Sequence, residues 1–388
     1  MKRLSTLQLL TLLAIAVMML LPLVSLVVPI PSTRIEGMPR SARLPTWSLK
    51  SVKAGKYQRG VTTWALKGHP LWSWSVKLTN ELVYRLTGEL SLDYSTSIQG
   101  GREEFFWQPM YLKAFNRSLP LNRREYEDGF KSVRAAQESL AAHGIPLLFV
   151  LNPNVLMLYP EILPEKYKAV RTGPSGYDLA LELIKKHSVS TIDTYSYLKE
   201  VQPHFPVRFF EPTGSHWNEI GSCLAVEKLG EALGHSWNEH FPNPECDVHE
   251  MRFPPAPAEL DLVKIANLLR PRDTFQPGAY LTSFPAATFK KPRRVLLVGT
   301  SFLFGLERQL LRRKIAKSTT LLFYYRQIRR DGKGPFKKLD RTKITKDVLL
   351  SYDAIIVDAN VSNPIGVGYG FIKTVQRLFP EQAIRKGS

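Results

Sequence analysis

Two short segments hold residues that could make and use a nucleophile. Gly299-Thr300-Ser301-Phe302 follows directly on the apolar run Val295-Leu296-Leu297-Val298 and precedes a helical pattern. Four consecutive Val and Leu residues read as a buried parallel strand. A serine at the C-terminal end of such a strand, with a helix opening behind it, stands where helix N–H groups stabilise negative charge on a neighbouring oxygen. Gly214-Ser215-His216-Trp217-Asn218 lies 85 residues upstream. His216 has the chemistry to take the serine proton, without which a hydroxyl is a poor nucleophile. Thr300 and Ser301 also suit an ordinary helix N-cap. His69, His143, His187 and His204 read as structural or surface residues.

The elements around these segments form a βα rhythm from about residue 125. Phe130, Val133, Ala136 and Leu140 step by three and four along a helix that stops near His143-Gly144. Strands are expected at Pro146–Leu151, Val189–Ile192, Val295–Val298, Thr320–Tyr325 and Ala354–Val357. Helices are expected through Leu179–Ile184, Ile220–Leu229, Leu303–Ile315 and Tyr369–Phe379. Alternating strands and helices imply an α/β fold with a parallel sheet covered on both faces, and ligands bind beyond the C-terminal strand ends. Asn152, Asp193, Ser301, Tyr325 and Asp358 stand at such ends. Residues 236–290 break the rhythm with a Pro-rich, lid-like insertion carrying one helical stretch, Leu260–Leu269.

The chain of 388 residues has 44% apolar and 22% charged residues, the balance of a globular protein with a substantial core. Its net charge of +19 calls for an anionic partner. Leu9 to Ile30 is almost uninterrupted apolar sequence, long enough for a transmembrane helix; no small-x-small cleavage site closes it, and a cleaved secretory signal is the alternative reading. Lys2 and Arg3 place the N-terminus in the cytoplasm and the bulk of the chain outside it. The expected layout is a cytoplasmic tip (1–8), a single-pass anchor in the inner membrane (9–30), a membrane-proximal region (31–95) and a periplasmic domain (96–388). Trp72, Trp74, Leu78, Leu82, Val83 and Leu86 mark an amphipathic helix in the membrane-proximal region. This location excludes nucleic acid as the partner. Cys223 and Cys246 could pair there, or be two buried small hydrophobes.

Several ordered blocks resemble the SGNH-hydrolase-like alginate O-acetyltransferase family (the AlgJ/AlgX type). Ile98-Gln99-Gly100-Gly101-Arg102-Glu103-Glu104-Phe105-Phe106-Trp107 is similar to its opening Gly-rich aromatic block. Asn152-Pro153-Asn154 with Leu158-Tyr159-Pro160-Glu161 resembles its Pro-x-Lys…Tyr-Pro-Glu block, and Ile192-Asp193 its Ile-Asp-Leu. Thr213 to Asn218 with Gly221 resembles Asp-x-His-Trp-Asn…Gly, and Gly299-Thr300-Ser301-Phe302 resembles Gly-Asp-Ser-Phe. The His block precedes the Ser block, the permuted order of this family. The resemblance implies an SGNH-like three-layer fold behind the N-terminal helix. It implies a Ser301 nucleophile with His216 as base, and no cofactor. It also implies acetylation of an extracytoplasmic polysaccharide, with acetyl delivered through a membrane-bound O-acyltransferase. An acetyl esterase using the same pair, and a non-catalytic glycan-binding subunit, are the alternatives.

Gly214 and Thr300 stand where the family pattern has Asp. His216 then needs another carboxylate (Asp193, Asp358 or Glu211), or works in a Ser–His dyad, or the site is degenerate. The Ser301 N–H, with Asn152 or Gly100, would meet an oxyanion. Tyr325 and Arg326, beyond a strand, could donate to a sugar or an oxyanion. The Lys- and Arg-rich stretch from Arg308 to Lys346 suits an anionic polysaccharide or anionic lipid. His235, His240, Cys246 and His249 are of zinc-binding type, but their spacing matches no familiar pattern, and no metal is expected.

Overall fold

The computed structural model describes residues 42–88, 99–100, 105–168, 172–241, 246, 250–252, 261–270, 278–280, 289–291, 293–364 and 367–380, with scattered positions before residue 42. The chain divides into two compact units, one of residues 1–100 and 262–274, the other of residues 101–261 and 275–388.

The smaller unit carries α1 (Leu49–Lys53), α2 (Lys56–Lys67) and α3 (Pro70–Thr87). Pro70 at the first turn and the His69 ring, which accepts from Leu71 N–H, open α3, and Gly88 in the left-handed region closes it. A helix thus spans the expected segment, but Trp74, Leu78, Leu82 and Leu86 of its expected apolar face are exposed. Asn80 of α3 donates to the Ala266 carbonyl at 2.8 Å, which ties residues 262–274 into this unit. The anchor expected over Leu9–Ile30 lies largely outside the described residues. Among the described residues, no helix is long and apolar enough to cross a membrane.

The larger unit is built on a seven-stranded sheet of β1 (Leu147–Asn152), β2 (Thr191–Asp193), β3 (Arg294–Gly299), β4 (Ser318–Phe323), β5 (Gln327–Arg330), β6 (Lys333–Lys338) and β7 (Ala354–Asn360). The spatial order is β6-β5-β4-β3-β7-β1-β2. The five strands from β4 to β2 are parallel, and β5 and β6 add an antiparallel hairpin at one edge. The sheet is thus mixed, not purely parallel as expected. The sequence from Arg329 to Lys338 gives a charge run and not an apolar one because the hairpin is an edge with solvent beside it. The central strands β1, β3 and β7 are buried almost throughout, as their Val, Leu and Ile runs require.

Helices α4 (Arg123–Ala141) and α5 (Gly176–Lys186) pack together, and α9 (Phe371–Leu378) packs on α4. The helices α6 (Glu219–Trp237) and α8 (Leu303–Arg312) pack against each other as a second pair. Asn122 caps α4 at Glu125 N–H, and Ser175 with Asp178 forms a capping box on α5. Cys223 and Cys246 are joined in a disulfide. The Cys246 sulfur is thereby withdrawn from any ligand set, His235 and His240 are exposed, and His249 lies outside the described residues. Much of the 236–290 insertion is likewise outside them, except for α7 (Asp261–Ala266) and short flanking pieces.

Candidate active site

Ser301 sits one residue beyond Thr300 at the end of β3, on a turn that runs into α8. Asp358, on β7 beside it, holds that turn from below. The Asp358 carboxylate accepts from Thr300 N–H at 2.6 Å, from the Thr300 hydroxyl at 2.5 Å and from the Asn152 amide at 2.5 Å. Gly299 has φ +152, and any Cβ there would fall 1.7 Å from Asp358 Oδ1, so only glycine lets the carboxylate approach the strand. Thr300 therefore stands in place of an acid because its hydroxyl and N–H serve the neighbouring acid.

His216 is carried on the loop between the bridged residues Phe210 and Trp217. Asn218 fixes the exit of that loop: its N–H bonds the Phe209 carbonyl, its amide nitrogen donates to Arg208 and Glu211, and its oxygen caps α6 at Gly221. Phe302 packs 5.1 Å from the imidazole and 5.2 Å from the Trp217 ring. So placed, His216 Nε2 lies 2.6 Å from Ser301 Oγ.

The other imidazole nitrogen, Nδ1, lies 2.9 Å from Asp261 Oδ2. Asp261 opens α7, inside the insertion. Ser215 holds it, donating its N–H to Oδ1 at 2.8 Å and its hydroxyl to Oδ2 at 2.5 Å. Burial pushes the Asp261 carboxyl up, but its hydrogen bond with His216, the His216 charge and the Ser215 bonds outweigh this and hold it below the usual carboxylate value. Ser301, His216 and Asp261 thus form one hydrogen-bonded chain, and a catalytic triad is defined by geometry and not by order in sequence.

None of the carboxylates expected beside His216 occupies this position. Asp193 caps the helix Thr194–Val201, accepting from Ser196 N–H at 3.1 Å, from the Ser196 hydroxyl at 2.7 Å and from Tyr177. Glu211 accepts from Asn218 and so supports the His216 loop indirectly. Asp358 serves the Ser301 turn, and burial raises its carboxyl to about 7 despite the bonds from Thr300 and Asn152. Asp261 carries no signal of its own in the sequence, since an acid at the first turn of a helix is commonplace.

The oxyanion candidates separate in the same way. Among the described residues the Ser301 N–H has no acceptor, so it is free to donate into the site. The Asn152 amide nitrogen is given to Asp358. Gly100 belongs to the smaller unit, in the short strand Gln99–Gly100. Tyr325 is buried in the core, its hydroxyl donating to Thr374 and its ring against Phe371. Arg326 is exposed on the β4–β5 turn. The tyrosine beside Ser301 is Tyr324, whose N–H bonds the Gly299 carbonyl at 2.7 Å and whose phenol is pushed up by burial and drawn down by Ser301. The sequence misses it by one position because β4 ends at Phe323 and not at Tyr325. Tyr324 has φ +48 and Tyr369 has φ +50, a strained backbone for an aromatic residue, and their rings meet edge to face at 4.8 Å. Burial raises the phenols of both, and that of nearby Tyr111.

A strand-end serine, a histidine from an upstream loop and an aspartate from an insertion match an SGNH-type arrangement, and residues 116–312 match the model of the SGNH hydrolase-like domain of acetyltransferase AlgX. The chain belongs to this family. Similar solved structures include the O-acetyltransferase domain of Pseudomonas putida AlgJ, 13% identical over 72% of this chain and 99% of that one, with a TM-score of 0.43. Bacillus cereus PatB1 is 12% identical over 63% of this chain and 92% of its own, with a TM-score of 0.39. Pseudomonas aeruginosa AlgX is 13% identical over 71% of this chain and 65% of its own, with a TM-score of 0.41. No curated protein matches the sequence.

Proposed function

We propose that this AlgX-family protein transfers acetyl groups to hydroxyls of an extracytoplasmic polysaccharide through an acetyl-Ser301 intermediate. The observation that carries the proposal is the unbroken chain from Ser301 Oγ to His216 Nε2 and from His216 Nδ1 to Asp261, at 2.6 and 2.9 Å. Its absence would have favoured a purely glycan-binding subunit.

In the first half-reaction His216 Nε2 takes the Ser301 proton as Oγ bonds the acetyl carbonyl carbon. The Ser301 N–H meets the resulting oxyanion, with Tyr324 as a second donor. The donor's leaving group then departs with the proton from His216. In the second half, a sugar hydroxyl gives its proton to His216 and attacks the ester carbonyl, and the proton returns to Ser301 Oγ. Asp261 holds the imidazole in the tautomer that presents a bare Nε2 and stabilises the imidazolium. A membrane-bound O-acyltransferase would supply the acetyl group, and the Leu9–Ile30 segment would hold the chain beside it. The disulfide supports an oxidising compartment outside the cytoplasm. The exposed cations of the β5–β6 hairpin, among them Arg330, Lys333, Lys337 and Lys338, suit an anionic acceptor. Cells carrying Ser301→Ala in the full chain are expected to make the polymer without its acetyl groups; unchanged acetylation would overturn the proposal.

A further inference from the structure

The smaller unit presents a pattern that the chemistry at Ser301 does not use. Helix α3 turns Ser73, Val76 and Asn80 inward, all buried. A helix of this kind should show polar residues on the opposite side. Instead Trp74, Leu78, Leu82 and Leu86 step by four along one exposed stripe, at 37%, 48%, 51% and 82% exposure. Trp47 and Leu49, where α1 begins, are exposed as well. A continuous apolar stripe facing water marks a surface that is covered in use.

The surrounding composition says what covers it. Residues 42–88 hold eight Lys and Arg against a single acidic residue, Glu81, and Glu81 is buried and paired with Arg85. They also hold four of the seven tryptophans of the chain: Trp47, Trp64, Trp72 and Trp74. Tryptophan favours the membrane–water interface, where an apolar ring and a polar N–H are both satisfied. Lys and Arg around an apolar helix face are drawn to anionic headgroups. A protein partner would call for no such excess of one charge. The segment also follows the apolar run that ends at Ile30, nineteen residues before α1 opens at Leu49.

We propose that the Trp74–Leu86 stripe of α3 lies in the interface of an anionic lipid bilayer, with the cations of residues 42–88 on its headgroups. This contact is separate from any spanning segment. It holds the membrane-proximal region flat on the surface instead of leaving it as a free tether.

The test uses the full chain reconstituted into phosphatidylglycerol vesicles whose acyl chains carry bromine, which quenches tryptophan only on contact. The Trp74 signal is taken as the difference between the wild type and Trp74→Phe. It is expected to fall by at least half in these vesicles, and to fall much less in brominated phosphatidylcholine. Leu78→Gln with Leu82→Gln and Leu86→Gln, all at exposed positions, should restore most of the Trp74 emission while the Ser301-dependent cleavage of p-nitrophenyl acetate is unchanged. Absence of quenching in both lipids overturns the proposal and leaves the stripe to a protein partner. Equal quenching in both overturns the anionic part of it.

Discussion

Asp261→Asn tests the triad at its least expected member. Asparagine keeps the shape of the side chain and one acceptor oxygen, so the Ser215 N–H bond at 2.8 Å to Oδ1 can survive. At the Oδ2 position, 2.9 Å from His216 Nδ1, an amide N–H₂ would replace an acceptor. The imidazole then keeps its proton on Nε2, which faces Ser301 at 2.6 Å and can no longer take the serine proton. The equivalent exchange in a serine-protease triad lowers kcat by about 10⁴, a barrier increase of roughly 5 kcal/mol. The burst of p-nitrophenol from p-nitrophenyl acetate, read on the purified full chain, measures acylation of Ser301 directly. A rate about 10⁴-fold slower, with an unchanged melting temperature, is expected. A loss under tenfold in the folded variant would refute the reasoning, since His216 would then hold its working tautomer without Asp261.

Tyr324→Phe removes the proposed second oxyanion donor and leaves the ring contact with Tyr369, so acylation should slow about tenfold, the worth of roughly 1.4 kcal/mol; an unchanged rate removes Tyr324 from the chemistry. Asp358 has a folded pKa of about 7, above the unfolded carboxylate value, so its contribution to stability is fully present below about pH 4 and is lost as pH rises through 7. Asp358→Asn should therefore flatten the fall in unfolding free energy between pH 4 and 7 seen by urea titration, and Asn152 Oδ1, now unpaired, can accept from the new amide; an equal fall in both proteins contradicts this. Breaking the Cys223–Cys246 bond, which links residues 23 apart, should cost about 3 kcal/mol by chain entropy, read as a lower melting temperature on Cys223→Ser with Cys246→Ser; an unchanged melting temperature would contradict it.

The parts of this molecule that were legible from sequence are those in which local pattern and global fold agree. The runs Leu147–Leu151, Val295–Val298 and Ala354–Val357 are continuous apolar segments because each is buried on both faces, and they emerge as neighbouring parallel strands. The serine and histidine segments were legible as exceptions to that pattern, polar residues at the ends of apolar elements. The β5–β6 hairpin was hidden because an edge exposed to solvent carries charges that mask its period of two. Asp261 was hidden for a different reason. What pairs it with His216 is a contact between residues far apart in sequence, which leaves no periodicity. Gly214 and Thr300 signalled that an acid was missing, and only the fold could say that Ser215 recruits one from 46 residues away and that Thr300 leans on Asp358.

The acetyl-enzyme at Ser301 is the step on which the proposed reaction depends. The full chain, incubated briefly with p-nitrophenyl acetate, quenched in acid and digested, should yield the peptide containing Ser301 with one added acetyl group, and the Ser301→Ala protein should yield none. An acetyl group on any other residue, or an unmodified Ser301 peptide alongside continued transfer to the glycan, would contradict it.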